Sequence, residues 1–512
     1  MPSASPSPRP SPSISPSPTI SPTPLSSPPP QARAGLEVPP LRPDGRWFRD
    51  ATGRIVILQG TFTVEKPVSP TADGLAVTYP GYAEDLRELG MNSVRLAYHW
   101  SGLEAERGRY DLEYISRIRG VMDKLEAAGI FTLLDSHQDM FGPKYGARGN
   151  GFPDWAAIDY GVPMLTDLGF PGNYFQPPVS FAFDNLWWNT DGVLDAYTAQ
   201  LGFMASQFTD YQYLLGYDLM NEPWAGSHYP SCFNLPGCPQ FDALYLQPAM
   251  DAFAAAVRAQ DANAIVFYEP QFTFDSGAKT WLGPPPEEVQ PAGFSFHDLC
   301  VARAIRQVLE QQSLGTLLET ACDPFHTQVY INAFEAAIRM GVPPFMTEVL
   351  ASNERDTEGL ECLLERAEDN KMSWNVGQYP SASNNNTVVL ARVFPRAIAG
   401  SPEQYHFDPR TGWFDFLYQS DSSIQAPTLI AVPVSVHYPE GYRVRVEGGQ
   451  VLSEPNAVEL LIQADAQAEQ VRVEFRPPEG DATERPALPD CTKPLDPILD
   501  VYQQLTAPSG TP

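Results

Sequence analysis

Between Arg46 and Gln378 the chain repeats one unit: a short apolar or β-branched run, a turn, and a longer amphipathic stretch. The runs are RIVILQG (54–60), NSVRLAY (92–98), FTLLDSH (131–137), LLGYDLMNE (214–222), AIVFYEP (264–270), GFSFHDL (293–299), PPFMTEVL (343–350) and MSWNVGQY (372–379). Strands separated by helix-length crossovers pair in parallel, and eight of them suffice to close a (β/α)8 TIM barrel. The best crossover signal is LEYISRIRGVMDKLEAAG. It puts Ile115, Ile118, Val121, Met122 and Leu125 on one helical face and ends at Gly129. AFEAAIRMG before the seventh run repeats the pattern, and long insertions follow runs three, four and six.

The expected organisation is α/β with flanking pieces. Residues 1–34 are a Ser/Pro tract that reads as a disordered stalk, and residues 35–400 hold the barrel. Residues 401–478 alternate with period two and predict a small β-sandwich, and 479–512 form a Pro-rich tail.

A formal net charge of -29 repels nucleic acid and anionic lipid, so neither is an expected partner. No window reaches the roughly 18 apolar residues of a membrane span. The six cysteines permit 15 pairings. Cys232 with Cys238, and Cys300 with Cys322, are close enough in sequence to staple loops, and none has zinc-site spacing. The stalk and acidic surface imply an oxidising, extracellular or cell-surface setting, with any signal or anchor lying outside this chain. A monomer is expected.

Barrels place their chemistry at the C-terminal ends of the strands. Those ends carry Arg95, His99 and Trp100; Asp135 and His137; Asn221 and Glu222; Glu269; His297; and Glu348. Retaining glycoside hydrolysis needs two carboxylates about 5 to 5.5 Å apart, one protonated and one ionised. Glu222 and Glu348, at the ends of strands four and seven, face one another across a barrel mouth and fit that pair. Asn221 is then placed for a sugar 2-hydroxyl. Asp135, His137, Asp139 and His297 could instead ligate a metal, but no HExxH or regular ligand spacing supports this. No cofactor or metal is expected.

The runs LLDSHQDMF (133–141), GNGFPDWA (149–156), FDNLWWN (183–189), LMNEPWAG (219–226), FSFHDLC (294–300) and PFMTEVLAS (344–352), with ARVFPRAIAG and a later VHYPEGY, resemble glycoside hydrolase family 5, in its endoglycoceramidase-like group. The resemblance implies a retaining hydrolase that splits a glycan from ceramide in a glycosphingolipid or another β-glycoside. It makes Glu222 the acid/base and Glu348 the nucleophile. Arg95 then supports the nucleophile, Asn221 holds the 2-hydroxyl, and Lys66, Asp135, His137 and His297 line the sugar site. Trp224 and Trp155 become candidate sugar platforms.

Two positions depart from the family pattern. Leu299 stands where a tyrosine usually orients the nucleophile, and Gly377 where a tryptophan usually lies under the sugar. The missing indole predicts a larger or differently shaped pocket, with Trp374 or Tyr379 as candidate substitutes. The aromatic insertion from Tyr160 to Trp188 could form an apolar trough for the lipid. The alternatives are a β-glucanase or mannanase of the same family, with an open cleft, and a glycolipid-binding protein with weakened catalysis.

Overall fold

A computed structural model describes residues 37–64, 81–146, 148–299, 315–350, 357–377 and 387–476. The Ser/Pro stalk, the Pro-rich tail, Lys66, Tyr379 and the Cys300–Cys322 pairing therefore lie outside the described residues. Eight parallel strands close into a barrel: Gln59–Thr63, Ser93–Tyr98, Phe131–Ser136, Leu214–Asp218, Ile265–Tyr268, Ala292–His297, Pro344–Leu350 and Ser373–Gly377. Each follows its neighbour in chain order, and the eighth pairs with the first.

The crossover helix Leu112–Ala127 buries the predicted face, and Asp111 caps it by accepting hydrogen bonds from the Glu113 and Tyr114 N–H groups. Gly129 follows with φ of 70°. The helix before strand seven spans Gly315–Met340.

The first predicted strand is divided. Ile55–Val56 pairs with Phe394–Ile398 in the C-terminal layer, and the barrel strand starts only at Gln59. An apolar run of this length gives no sign of where it changes sheets. The hairpin strands Arg42–Asp44 and Trp47–Arg49 join the same layer, so N-terminal and C-terminal segments share a seven-stranded sheet. Phe48 packs its ring against Phe267 and Phe345 inside the barrel and plugs its N-terminal end.

A four-stranded sheet, with Gly400–Asp408, Trp413–Ser420, Arg443–Glu447 and Gln470–Arg476, faces the seven-stranded one. Phe394, Phe414, Phe416, Ile430, Leu460 and Val473 fill the core around them. Two buried bidentate pairs fasten this layer to the barrel side. Arg392 holds Glu368 at 2.6 and 2.7 Å, and Arg396 holds Glu37 at 2.9 and 2.8 Å.

Side-chain alternation divides the barrel interior by height. Phe131, Leu133, Leu215, Phe267 and Phe345 make an apolar lower plug. Arg95, Asp135, Asp218, Ser295 and His297 form a polar layer above it. Burying that layer is costly unless its charges are paired, which makes it the place to look for function.

Candidate active site

Arg95 is the hub of the polar layer. Its Nε donates to Asp218 Oδ2 at 3.0 Å, its Nη1 to Glu348 Oε2 at 3.0 Å, and its Nη2 to Asn221 Oδ1 at 2.9 Å and Glu269 Oε2 at 3.3 Å. Asp135 Oδ1 lies 3.2 Å from Nη2. Burial alone would weaken the guanidinium's hold on its proton, but Asp135, Asp218, Glu269 and Glu348 together raise its pKa further. One planar fork thus ties the ends of strands three, four, five and seven to strand two.

Glu348 reaches this hub through an irregularity. Strict alternation would send Thr347 and Glu348 to opposite faces of strand seven. The pairing register shifts between Met346 and Glu348, and both side chains then enter the interior. The Thr347 hydroxyl meets Ser295 at 2.6 Å while Glu348 meets Arg95. The shift leaves Glu348 in register with His297.

Glu222 sits beyond the end of strand four with φ of 41°, a left-handed conformation that is costly for a residue with a side chain. Neighbours hold it there. Its N–H donates to Glu269 Oε1 at 2.5 Å, and Gln138 Nε2 donates to the Asn221 and Glu222 carbonyls at 3.0 and 2.9 Å. Asn221 Nδ2 returns a bond to the Gln138 carbonyl at 2.9 Å. His297 Nδ1 lies 3.2 Å from Glu222 Oε1. Burial pushes the His297 imidazole down to about 3, against the opposing pull of Glu348, so it is neutral at ordinary pH.

The remaining carboxyls divide by environment. Burial raises Asp218 to about 6 although Arg95 opposes it, and burial with the Asp218 charge raises Glu269 well above the usual range. Asp135 is buried too, but Arg95 and His137 hold it below its ordinary value. Its Oδ2 meets His137 Nδ1 at 2.8 Å, and His137 Nε2 lies 3.4 Å from Asp139. The chemistry available is one carboxyl, Glu348, bonded to a guanidinium, beside a second, Glu222, next to a neutral imidazole.

Arg95, Asp135, His137, Asn221, Glu222, His297 and Glu348 are all buried at the C-terminal mouth of the barrel, where the sequence puts them. Trp224 is not a platform: it has no exposed surface and stacks on Tyr229 with centroids 5.4 Å apart. Trp155 packs edge-on against Trp100 at 4.9 Å. At Gly377 the space that a side chain would take is filled. A Cβ there would lie 1.7 Å from Cε1 of Phe62, whose ring from strand one takes the space. Trp374 is no substitute, because it is wholly buried in the core outside the barrel. Leu299 is half-buried beside Asp298 and brings no hydroxyl.

The aromatic insertion serves two ends. Tyr174, Phe183 and Trp187 are buried, whereas Phe175, Tyr160 and Trp188 are exposed. Gln138, Asp218 and Asp275 are site residues that sequence reasoning missed. Gln138 had a visible signal inside SHQDM, and Asp275 had one as the lone acid in the apolar run QFTFDS. Cys232 and Cys238 form the expected disulfide, and Cys362 is disulfide-bonded as well.

Comparison with known proteins agrees with this geometry. Residues 68–380 match the family described as cellulase (glycosyl hydrolase family 5), and residues 392–474 match the glycoside hydrolase family 5 C-terminal domain. Endoglycoceramidase I of Rhodococcus hoagii (strain 103S) is 34% identical over 84% of this chain and 86% of that protein. Two solved structures of endo-glycoceramidase II from Rhodococcus sp. share the fold. The ganglioside GM3 complex has a TM-score of 0.73 at 24% identity, covering 85% of this chain and 100% of that one. The lactosyl-enzyme intermediate has a TM-score of 0.70 at 25% identity, covering 84% and 99%.

Proposed function

The chain belongs to glycoside hydrolase family 5, and from that membership we propose that it is a retaining β-glycosidase cutting the bond between a glycan and ceramide in glycosphingolipids. The observation that carries the reading is the Arg95 fork, which joins Glu348 on strand seven to Asn221, the neighbour of Glu222, beyond strand four. The guanidinium bonds Glu348 Oε2 at 3.0 Å and holds the carboxyl in place for attack. Glu348 attacks the anomeric carbon while Glu222 protonates the departing oxygen. Glu222 then takes a proton from water, and the water oxygen displaces Glu348 from the sugar. The Asn221 amide is held by Arg95 and Gln138, and lies where a 2-hydroxyl contact would strengthen in the transition state.

The lipid end has a candidate surface. Phe175, 36% exposed, packs against buried Trp224 at 5.4 Å and against exposed Phe233 at 5.5 Å. Leu165, Leu168 and Leu235 are also exposed on the neighbouring loops. This apolar rim suits transient contact with a lipid aglycone or its bilayer. Among the described residues no helix is long and apolar enough to cross a membrane. The Cys232–Cys238 disulfide and the Ser/Pro composition of residues 1–34 support an extracellular or cell-surface tethered enzyme.

The test is release of intact glycan from a panel of glycosphingolipids, with a soluble β-glucan beside it. Wild type is expected to release glycan, and Glu222→Gln and Glu348→Gln to lose at least about 1,000-fold in kcat. Cleavage of the β-glucan without glycolipid cleavage would instead establish the polysaccharide-directed reading, which the cellulase match favours. Wild-type activity in both variants would overturn the assignment of the two glutamates.

A further inference from the structure

Asp275 belongs to the 3-10 turn Phe272–Ser276, which follows strand five and packs on strand six and on the helix Gly315–Met340. It is 4% exposed, and its Oδ2 makes no hydrogen bond among the described residues. A buried carboxyl oxygen without a partner is costly, and a fold keeps one only where something compensates. Its surroundings show what that is. Oxygens of Asp275 and Glu222 and a ring nitrogen of His297 all lie within 4.8 Å of one another, with Asp275 Oδ2 4.0 Å from His297 Nδ1.

Resting on the reading above, we propose that Asp275 is a positioning residue for Glu222. It is a buried carboxylic acid that donates a hydrogen bond to the Glu222 carboxylate whenever Glu222 has given up its proton. Rotation of a carboxyl about χ2, or one intervening water, spans the gap. Each step balances. In the first, the Glu222 O–H bond breaks and an O–H forms on the departing alcohol, while the anomeric C–O bond is replaced by one to Glu348. In the second, Glu222 takes a proton from water as the water oxygen displaces Glu348. Asp275 keeps its proton throughout and stabilises the anion between the two steps.

The charges facing Asp275 favour this state. Burial, with Glu222 beyond strand four, Glu348 on strand seven and Asp298 after strand six, raises Asp275 well above the usual carboxylate range, and Arg95 on strand two opposes them. Neutral His297 adds no positive charge. On the packed helix, His326 is engaged with Asp298 at 2.6 Å and is directed there rather than at Asp275. Glu269, at the end of strand five, lies 3.6 Å from His297 Nε2 and bonds the Glu222 backbone.

The experiment measures kcat against pH with an activated aryl β-glycoside. Such a substrate needs no leaving-group acid and reports Glu222 as the base of the second step. Asp275→Leu removes the donor, so its acid limb is expected to move up by about one pH unit and kcat to fall about tenfold. Asp275→Asn keeps a donor and is expected to stay within about threefold of wild type, with its acid limb in place. Circular dichroism of both variants checks folding. The proposal is overturned if Asp275→Leu folds with the wild-type pH limb, or if Asp275→Asn loses as much activity as Asp275→Leu without moving the limb. Should Glu222→Gln retain wild-type activity in this assay, it is the assignment of Glu222 that fails instead.

Discussion

Replacing Arg95 with methionine tests the electrostatic core of the site. The side chain is 1% exposed and supplies one positive charge to Asp135, Asp218, Glu269 and Glu348. Without it Asp135, Asp218 and Glu269 lose the charge that opposes their protonation, and Glu348 loses the hydrogen bond that holds its carboxyl in place. A hydrogen bond to a charged group contributes about 1.5 to 3 kcal/mol, and only the Arg95 bond to Glu348 acts on a reacting atom. Losing about 2 to 3 kcal/mol of transition-state stabilisation lowers kcat/KM about 30- to 150-fold.

The sign of the pH effect follows from the same geometry. Arg95 lowers the pKa of Asp135, Asp218 and Glu269, so without it the buried layer around the site gains protons at higher pH and the acid limb of kcat/KM moves up. Arg95→Lys keeps the charge but not the fork, which now bonds four different residues, and an intermediate loss with a smaller shift is expected. The assay is glycan release across pH 4 to 9, with thermal unfolding as the check on folding. A folded Arg95→Met enzyme within threefold of wild type, with an unmoved acid limb, would refute the reasoning.

Glu365 is 2% exposed, and burial with the charges of Glu368, Glu361 and Asp369 raises its pKa to about 8 although Arg392 opposes them. A carboxyl whose folded pKa lies above its unfolded value favours folding fully below about pH 4.5, and that contribution is lost as pH rises to about 8. Glu365→Gln is therefore expected to unfold at higher temperature than wild type at pH 9, by on the order of 2 kcal/mol, and to lose the advantage at pH 4, as calorimetry would show. Gly377→Ala forces a methyl into the Phe62 ring, for an expected cost of about 1 to 3 kcal/mol in denaturant titration. Adding Phe62→Ala should recover part of that loss, and strictly additive effects would mean that the two residues do not compete for the space.

The legible features in the sequence were those with a local periodic or compositional signature. Seven of the eight barrel strands were visible as apolar runs, the first overlapping its run only at Gln59 and Gly60, and the helix over Leu112–Ala127 showed its face and its terminating glycine. Glu222 and Glu348 stood out as carboxylates closing such runs at the end of a barrel reserved for chemistry. The division of RIVILQG between two sheets was invisible, since every residue from Ile55 to Leu58 is buried and apolar in either sheet. Trp224 gave no sign of being wholly inside.

What this sequence determines by itself is therefore the barrel, its strand order in the chain, and the pair of glutamates. Periodicity and strand-end chemistry are properties of short segments. The tertiary structure alone decides the register shift that turns Glu348 inward, the φ of 41° at Glu222 that Gln138 and Glu269 sustain, and the Phe62 ring standing over Gly377. It also brings Asp275, some fifty residues beyond Glu222, to the same imidazole. Each of these depends on which distant groups share a buried volume, and the pKa shifts of Asp135, Asp218, Glu269 and Asp275 follow from that sharing rather than from neighbours along the chain.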